Sequence, residues 1–264
     1  MRLTVIGCWG AYPPAGGATA GYLVQYGDTN ILLDCGSGVL AALQHRLPLW
    51  KLDAVIISHY HTDHDADLGC LQYAAMIDQQ LGRRAKPFVA WGPGEVQKLG
   101  YGAYCTGQSY LGLARFTVGE LQIETLHNPH EIESRALRVT APGGQTLVYS
   151  GDTAYHEPLA AFAHGANCFL CEASFYADGR PLTAQHLTAA QAGTLAQKAG
   201  ANMLVLTHLP HFGQHWQLAA QAAAVYGGKV LLAQQGLTLS LGDIEKQPTK
   251  NTAGVPSAPG VLNK

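Results

Sequence analysis

The chain has 264 residues, 47% of them hydrophobic and 13% Asp, Glu, Lys or Arg, with a formal net charge of −2 and 12 histidines. This length and apolar content fit one large domain with a sizeable core and exclude disorder across the whole chain. The near-neutral charge leaves no general electrostatic footprint for a long nucleic acid or an anionic membrane, so any recognition of anions must be local.

The opening residues show no charged segment leading into a long apolar one, and no run of 18 apolar residues occurs. The expectation is a cytoplasmic protein without membrane contact. Residues 2–7, 22–26 and 30–34 read as strands of an antiparallel meander, and a helical pattern runs from Gly38 to about residue 50. An apolar run at 53–57 suits a buried strand, followed by a helix over 67–81 and a strand over 87–91. Two hairpins follow, 115–118 with 121–126 around Gly119-Glu120, and 135–140 with 146–150 around Pro142-Gly143-Gly144. The pattern then alternates: helix 156–164, strand 168–172, helix 187–199, strand 203–207, helix 215–226, and a closing strand pair at 229–233 and 237–241. Two sheets covered by helices, or one large mixed sheet, would accommodate it. Residues 1–242 read as one domain and residues 243–264, rich in Pro, Lys, Thr, Gly and Ser, as a mobile tail. The six cysteines are too scattered for a disulfide framework, and Cys168-Phe169-Leu170-Cys171 reads as buried strand, with no second pair to complete a zinc ribbon.

Three apolar strands end in a hydroxyl residue followed by a potential ligand: Ile57-Ser58-His59, Tyr149-Ser150-Gly151-Asp152 and Leu206-Thr207-His208. The carboxyl ends of strands in α/β sheets form the crevice where ligands bind. The strongest signal is His59-Tyr60-His61-Thr62-Asp63-His64, four metal-competent side chains within six residues. His59 and His61, at i and i+2, can converge on one ion, while Asp63 and His64 face a second. Asp152, at a strand end, suits a carboxylate that bridges both ions, leaving one distant His for each.

On these residues the chain resembles the metallo-β-lactamase fold hydrolases, in particular the ribonuclease Z-like branch with its tRNA 3′-processing endonucleases and small phosphodiesterases. The likeness runs from the opening strand through Leu33-Asp34-Cys35-Gly36, the H-x-H-x-D-H, Gly151-Asp152-Thr153, Glu172-Ala173-Ser174 and His186-Leu187-Thr188 to Leu206-Thr207-His208. It implies an α/β (α+β) fold of four layers, αββα, with two mixed sheets sandwiched by helices. It implies two divalent ions, Zn²⁺ or Mn²⁺, one on His59, His61 and a third His, the other on Asp63, His64 and His208, with Asp152 bridging. His127 and His130 both offer themselves as the third His. The branch's acidic stretch and Arg-bearing strand match His130, with Glu133 and Arg138, and leave His127 in a supporting place.

The resemblance further implies attack by a metal-bridging hydroxide, with Asp63 orienting it or taking its proton. His186 would contact the scissile phosphate or protonate the leaving oxygen, supported by Glu172, although Leu187 stands where a Ser is common. Asp63, His186 and Glu172 are thus the catalytic candidates. Two divalent ions opposed by Asp63, Asp152 and a hydroxide leave a net positive centre that attracts a small anionic substrate. Only 21 residues separate His130 from Asp152, too few for the arm with which the tRNA-processing enzymes clamp tRNA. The expectation is therefore a phosphodiesterase acting on a small diester, a nucleotide or an oligonucleotide end, with no full-length tRNA and no membrane, in an assembly that can be a homodimer. The alternatives are a thioester or amide hydrolase like the glyoxalase II or lactamase branches, and a metal-bearing carrier with little turnover. His45, His156 and His164 read as incidental, and His211 and His215 stay undecided near the pocket. Asp67 reads as an orienter of metal ligands, Asp34 as a residue that holds the metal loop in shape, and Arg83-Arg84-Ala85-Lys86 as a solvated turn.

Overall fold

The computed structural model describes residues 1–177 and 185–242. In chain order the strands are β1 (Arg2–Gly7), β2 (Gly21–Tyr26), β3 (Thr29–Leu33), β4 (Ala54–Ile56), β5 (Phe88–Gly92), β6 (Cys105–Ser109), β7 (Phe116–Val118), β8 (Leu121–Asn128), β9 (Ser134–Thr140), β10 (Thr146–Tyr149), β11 (Cys168–Glu172), β12 (Met203–Thr207), β13 (Lys229–Leu232) and β14 (Thr238–Ser240). The helices are α1 (Val39–Leu43), α2 (Thr62–Asp65), α3 (Leu68–Gln80), α4 (Val96–Leu99), α5 (Glu157–Phe162), α6 (Ala189–Ala199) and α7 (His215–Ala223). The strands form two seven-stranded sheets, ordered β14-β1-β2-β3-β4-β5-β6 and β13-β12-β11-β10-β9-β8-β7. In each, an antiparallel portion passes into a parallel one, at β3–β4 in the first sheet and at β10–β11 in the second.

The period-two alternation of the strands creates the layers. In β2, β3 and β4, Tyr22, Val24, Ile31, Leu33, Ala54 and Ile56 share one core cluster with Leu121, Ile123, Leu137 and Leu147 of the second sheet. Their neighbours Leu23, Leu32 and Val55 face the other way and pack with Val39, Leu43, Leu68 and Leu71 from α1 and α3. Beyond the second sheet, α6 and α7 supply Leu195 and Leu218. The result is the expected αββα sandwich. Strands β11 and β12 are buried at every residue, which explains the apolar runs 168–171 and 203–206 that precede Glu172 and Thr207.

Three departures have physical causes. The helix expected to reach residue 50 stops at Leu43, and a 3₁₀ turn at Leu49–Lys51 resumes after Pro48, which has no N–H to give to a continuous helix. Helix α4 and strand β6 were not expected. Cys-Thr-Gly-Gln-Ser has almost no apolar alternation, and β6 exists through its parallel pairing with β5 at the sheet edge. Cys168 and Cys171 are free and fully buried, and three positions apart on a strand they face opposite sides, so they form no metal pair. The proposed tail, 243–264, lies outside the described residues. Among the described residues no helix is long and apolar enough to cross a membrane.

Candidate metal centre

The ends of both sheets meet at one place. After β4 the chain runs through Ser58, His59 and His61 into α2, whose first turn carries Asp63 and His64. After β10 it turns at Gly151, with φ of 58°, to present Asp152. After β12 it presents His208, a non-glycine residue at φ 52°, a conformation that costs of order 1–3 kcal/mol and persists only where surroundings enforce it. Asp152 is fixed from the backbone side: its carbonyl accepts from Ser134 Oγ at 2.8 Å and Asn128 Nδ2 at 3.2 Å, and Asn128 also donates to Ser150 O at 2.7 Å.

Among the described residues three groups of donor atoms result, His59, His61, His130 with Asp152, then Asp63, His64, His208 with Asp152, and beside them Glu172 and His186 with His208; within each, the ligand atoms lie within 4.8 Å of one another. In the first, His61 Nδ1 lies 3.1 Å from His59 Nε2 and 3.2 Å from His130 Nε2, and His59 Nε2 lies 3.6 Å from Asp152 Oδ2. In the second, His208 Nε2 is 3.1 Å from Asp63 Oδ2 and 3.2 Å from Asp152 Oδ2, and His64 Nε2 is 3.4 Å from Asp152 Oδ1. Tetrahedral zinc with bonds of about 2.0–2.1 Å has ligand–ligand edges of about 3.3 Å, which these pairs, at 3.1–3.6 Å, approach. The buried His64 Nε2 and Asp152 Oδ1 have no hydrogen-bond partner, and buried polar atoms seldom remain so. Nitrogen and carboxylate donors without thiolate suit Zn²⁺ or Mn²⁺. The His/Asp cluster is able to bind metal.

The opposite nitrogen of each imidazole is engaged, which sets its tautomer and aim. His59 Nδ1 donates to Ser58 Oγ at 3.0 Å, and Ser58 Oγ donates to Asp34 Oδ2 at 2.8 Å. His208 Nδ1 donates to Ser174 Oγ at 2.8 Å, and Ser174 Oγ to Glu172 Oε2 at 2.7 Å. The two sides of the cluster thus repeat one device, a His held through a Ser by a fully buried carboxylate. His64 Nδ1 donates directly to Asp34 at 2.7 Å, His61 Nε2 approaches Glu131 Oε1 at 2.8 Å, and His130 Nδ1 donates to Gln185 O at 3.2 Å. Burial, with His64 alongside, pushes the His59 imidazole well below its usual pKa and keeps it neutral. Burial alone would raise Asp63, but the hydrogen bond from His208 and the imidazoles of His64 and His208 hold its carboxyl well below the usual carboxylate range.

Asp34 does more than the sequence suggested. Its carboxylate accepts from Ser58 N, Ser58 Oγ, His64 Nδ1 and Tyr149 Oη, at 2.6–2.8 Å. Asp34→Asn keeps the shape but presents an amide where four donors converge. Zinc affinity is expected to fall about 10–100-fold, the range typical for groups that orient metal ligands, when measured by competition with a chromophoric chelator; unchanged affinity would reduce Asp34 to a packing role. Asp67, read from the sequence as an orienter of metal ligands, instead accepts the Leu40 N–H at 2.9 Å.

Glu172 sits fully buried under His186. Its carboxylate accepts from Thr153 N at 2.6 Å, Leu187 N at 3.2 Å, Ser174 Oγ, and His186 Nδ1 at 3.1 Å. With these contacts it is a positioning residue, linking the Asp152 turn, the His186 loop and His208. His186 is one-fifth exposed, and its Nδ1 lies 3.8 Å from Asp152. Burial pulls the His186 pKa down, but the charge and hydrogen bond of Glu172 prevail and lift it to about 9. Thr188 caps α6 in a capping box with Gln191.

His127 remains within β8, paired with Arg135, and lies exposed beside Glu133, while His130 joins the cluster. Arg138 donates to Phe162 O and His164 O at the end of α5. Arg84 donates to the carbonyls of Leu49 and Leu52, so the basic run is partly a structural clip. His211 stacks on Trp9 and His215 lies tilted against it, both outside the cluster.

The family of the "Beta-lactamase superfamily domain" matches residues 29–209. The "Probable metallo-hydrolase YhfI" of Bacillus subtilis (strain 168) is 41% identical over 240 residues, covering 89% of this chain and 98% of its own. Its crystal structure superimposes with a TM-score of 0.87 over 90% of this chain and 98% of the other. A ribonuclease Z of Methanopyrus kandleri is 26% identical over 277 residues, covering 90% and 96% of the two chains. A crystal structure of a diphosphatase from the PhnP family, 17% identical, shares the fold with a TM-score of 0.72 over 90% of this chain and 97% of the other.

Proposed function

The chain belongs to the β-lactamase superfamily and is a metallo-hydrolase of that fold, and from this premise we propose that it hydrolyses small phosphodiesters with two divalent ions. His59, His61 and His130 would hold one ion and Asp63, His64 and His208 the other, with Asp152 common to both. The single observation that carries the dinuclear reading is the pair of four-residue donor groups that share only Asp152. Divalent cations bound there would lower the pKa of a water and stabilise charge on the entering and departing oxygens of an in-line displacement at phosphorus.

The remaining roles fall to the chain's own groups. Asp63, whose Oδ2 accepts the Ala11 N–H at 2.8 Å, orients the attacking water or takes its proton. His186 is tethered through Nδ1 to Glu172, which leaves Nε2 to donate to a phosphate oxygen or to the leaving oxygen. The likeness to a protein named ribonuclease Z supports phosphodiester chemistry. Substrate size follows from the 21 residues between His130 and Asp152, which are consumed by β9, β10 and their turn and form no clamp for a large RNA. A chain of net charge −2 also lacks the field that long nucleic acids require.

The test is a substrate panel on protein loaded with Zn²⁺ or Mn²⁺: bis(p-nitrophenyl) phosphate, a thioester and a β-lactam. Diester turnover that disappears on chelation and returns with metal, together with two ions per chain by elemental analysis, is the expected result. Turnover of the thioester or lactam without the diester would overturn the substrate reading, and one ion or none per chain the dinuclear one.

A further inference from the structure

Four rings stand in a row beside the cluster. Tyr12 stacks on His211 with centroids 3.8 Å apart and planes 7° from parallel, His211 stacks on Trp9 at 4.9 Å and 17°, and Trp9 leans on His215 at 5.2 Å. Trp9 and Tyr12 come from the loop after β1, His211 from the loop after β12 and His215 from the start of α7. The loops are clipped together where Leu209 N donates to Cys8 O at 2.9 Å and Gly10 N donates to Leu209 O at 3.1 Å. His211 Nε2 donates to Tyr12 O at 2.6 Å and approaches Gly10 O at 3.2 Å, so its ring cannot turn without releasing the first loop. His215 is held likewise, by Nε2 on Pro210 O at 2.7 Å.

The same two loops enter the cluster. Ala11, next to Tyr12, gives its N–H to Asp63 Oδ2, and His208 begins the second loop. Gly10 lies so close to the His208 ring that a Cβ there would stand 2.7 Å from it. Tyr12 nonetheless remains 59% exposed, although His211 covers one of its faces, and Phe212 is 49% exposed. A tyrosine backed by a pinned imidazole and an indole, open on its other face, offers a flat heterocycle a surface that needs no ordering on binding.

We propose that Tyr12, backed by His211 and Trp9, is the stacking platform for the nucleobase of a nucleotide substrate whose phosphorus lies at the His/Asp cluster. The proposal rests on the phosphodiester reading above and narrows it from small diesters in general to those bearing a base. Stacking accepts every base because each has a π-face, so the platform selects for a nucleobase and leaves its identity open.

The test measures equilibrium binding to the zinc-loaded protein by isothermal titration, with adenosine 5′-monophosphate and ribose 5-phosphate as probes that share the phosphate and the sugar and differ in the base. The protein is expected to prefer the nucleotide by about tenfold or more, Tyr12→Ala to lower that preference about tenfold, and Tyr12→Phe to retain it. Equal affinity for the two probes, or a preference that survives Tyr12→Ala, overturns the platform. Turnover of bis(p-nitrophenyl) phosphate judges the reaction separately. Turnover without base preference removes the platform alone, whereas base preference without any diester turnover keeps the platform and removes the phosphodiesterase reading.

Discussion

Asp152→Ala is expected to lower kcat/KM for bis(p-nitrophenyl) phosphate at least about 1,000-fold, a loss of about 4 kcal/mol in transition-state stabilisation. The residue is 2% exposed and belongs to both four-residue donor groups, with one carboxylate oxygen 3.4 Å from His64 and the other 3.2 Å from His208 and 3.6 Å from His59. Under the proposed dinuclear reading, alanine would leave five imidazoles around two cations with Asp63 as the sole carboxylate, so charge compensation and the shared ligand would vanish together. Metal content should fall below two ions per chain. Asp152→Asn, which preserves volume and one carbonyl acceptor, is expected to retain more metal than the alanine variant while losing most turnover. Both variants should unfold cooperatively, since the Ser134 and Asn128 contacts reach the Asp152 backbone. Turnover indifferent to either substitution would place the reaction elsewhere.

The H-x-H-x-D-H was legible because its metal-competent side chains lie within six residues, and the strand-end positions of Asp152 and His208 were legible because buried parallel strands read as apolar runs. The choice of His130 over His127 depends on a boundary. His127 is still held in register by β9, whereas His130 lies beyond the end of β8, where the backbone is free to swing a side chain to His61. Asp34 was seen only as a loop former. Its function comes from a left-handed φ of 57° that turns the carboxylate under Ser58, His64 and Tyr149, three contacts spread over 115 residues of sequence separation. No local spacing signals such convergence. The serine relays were hidden likewise, since Ser58 and Ser174 read as ordinary strand-end hydroxyls until their buried carboxylates are in place. Strand β6 was missed for the opposite reason, being defined by its neighbour's backbone and not by its own side chains.

His186→Ala is expected to slow hydrolysis about 100- to 10,000-fold for a substrate with a poor leaving group, the range over which a positioned general acid acts. A nitrophenolate departs with little need of a proton, whereas an alkoxide such as a ribose oxygen departs as a strong base unless protonated. If Nε2 of His186 supplies that proton, the loss for a dialkyl or nucleoside diester should exceed the loss for bis(p-nitrophenyl) phosphate by at least about tenfold. If His186 instead only binds a non-bridging phosphate oxygen, both substrates should lose alike. Glu172→Gln acts through the same imidazole: the amide cannot match the charge that lifts His186 to about 9, and its NH₂ would face donors such as Leu187 N and Ser174 Oγ. The same leaving-group selectivity should therefore be lost in part, with a shift of the acidic group toward lower pH in the kcat profile of the slower substrate. Equal losses for both leaving groups in His186→Ala, with an unshifted profile in Glu172→Gln, would leave His186 as a phosphate-binding residue and assign protonation of the leaving oxygen to water.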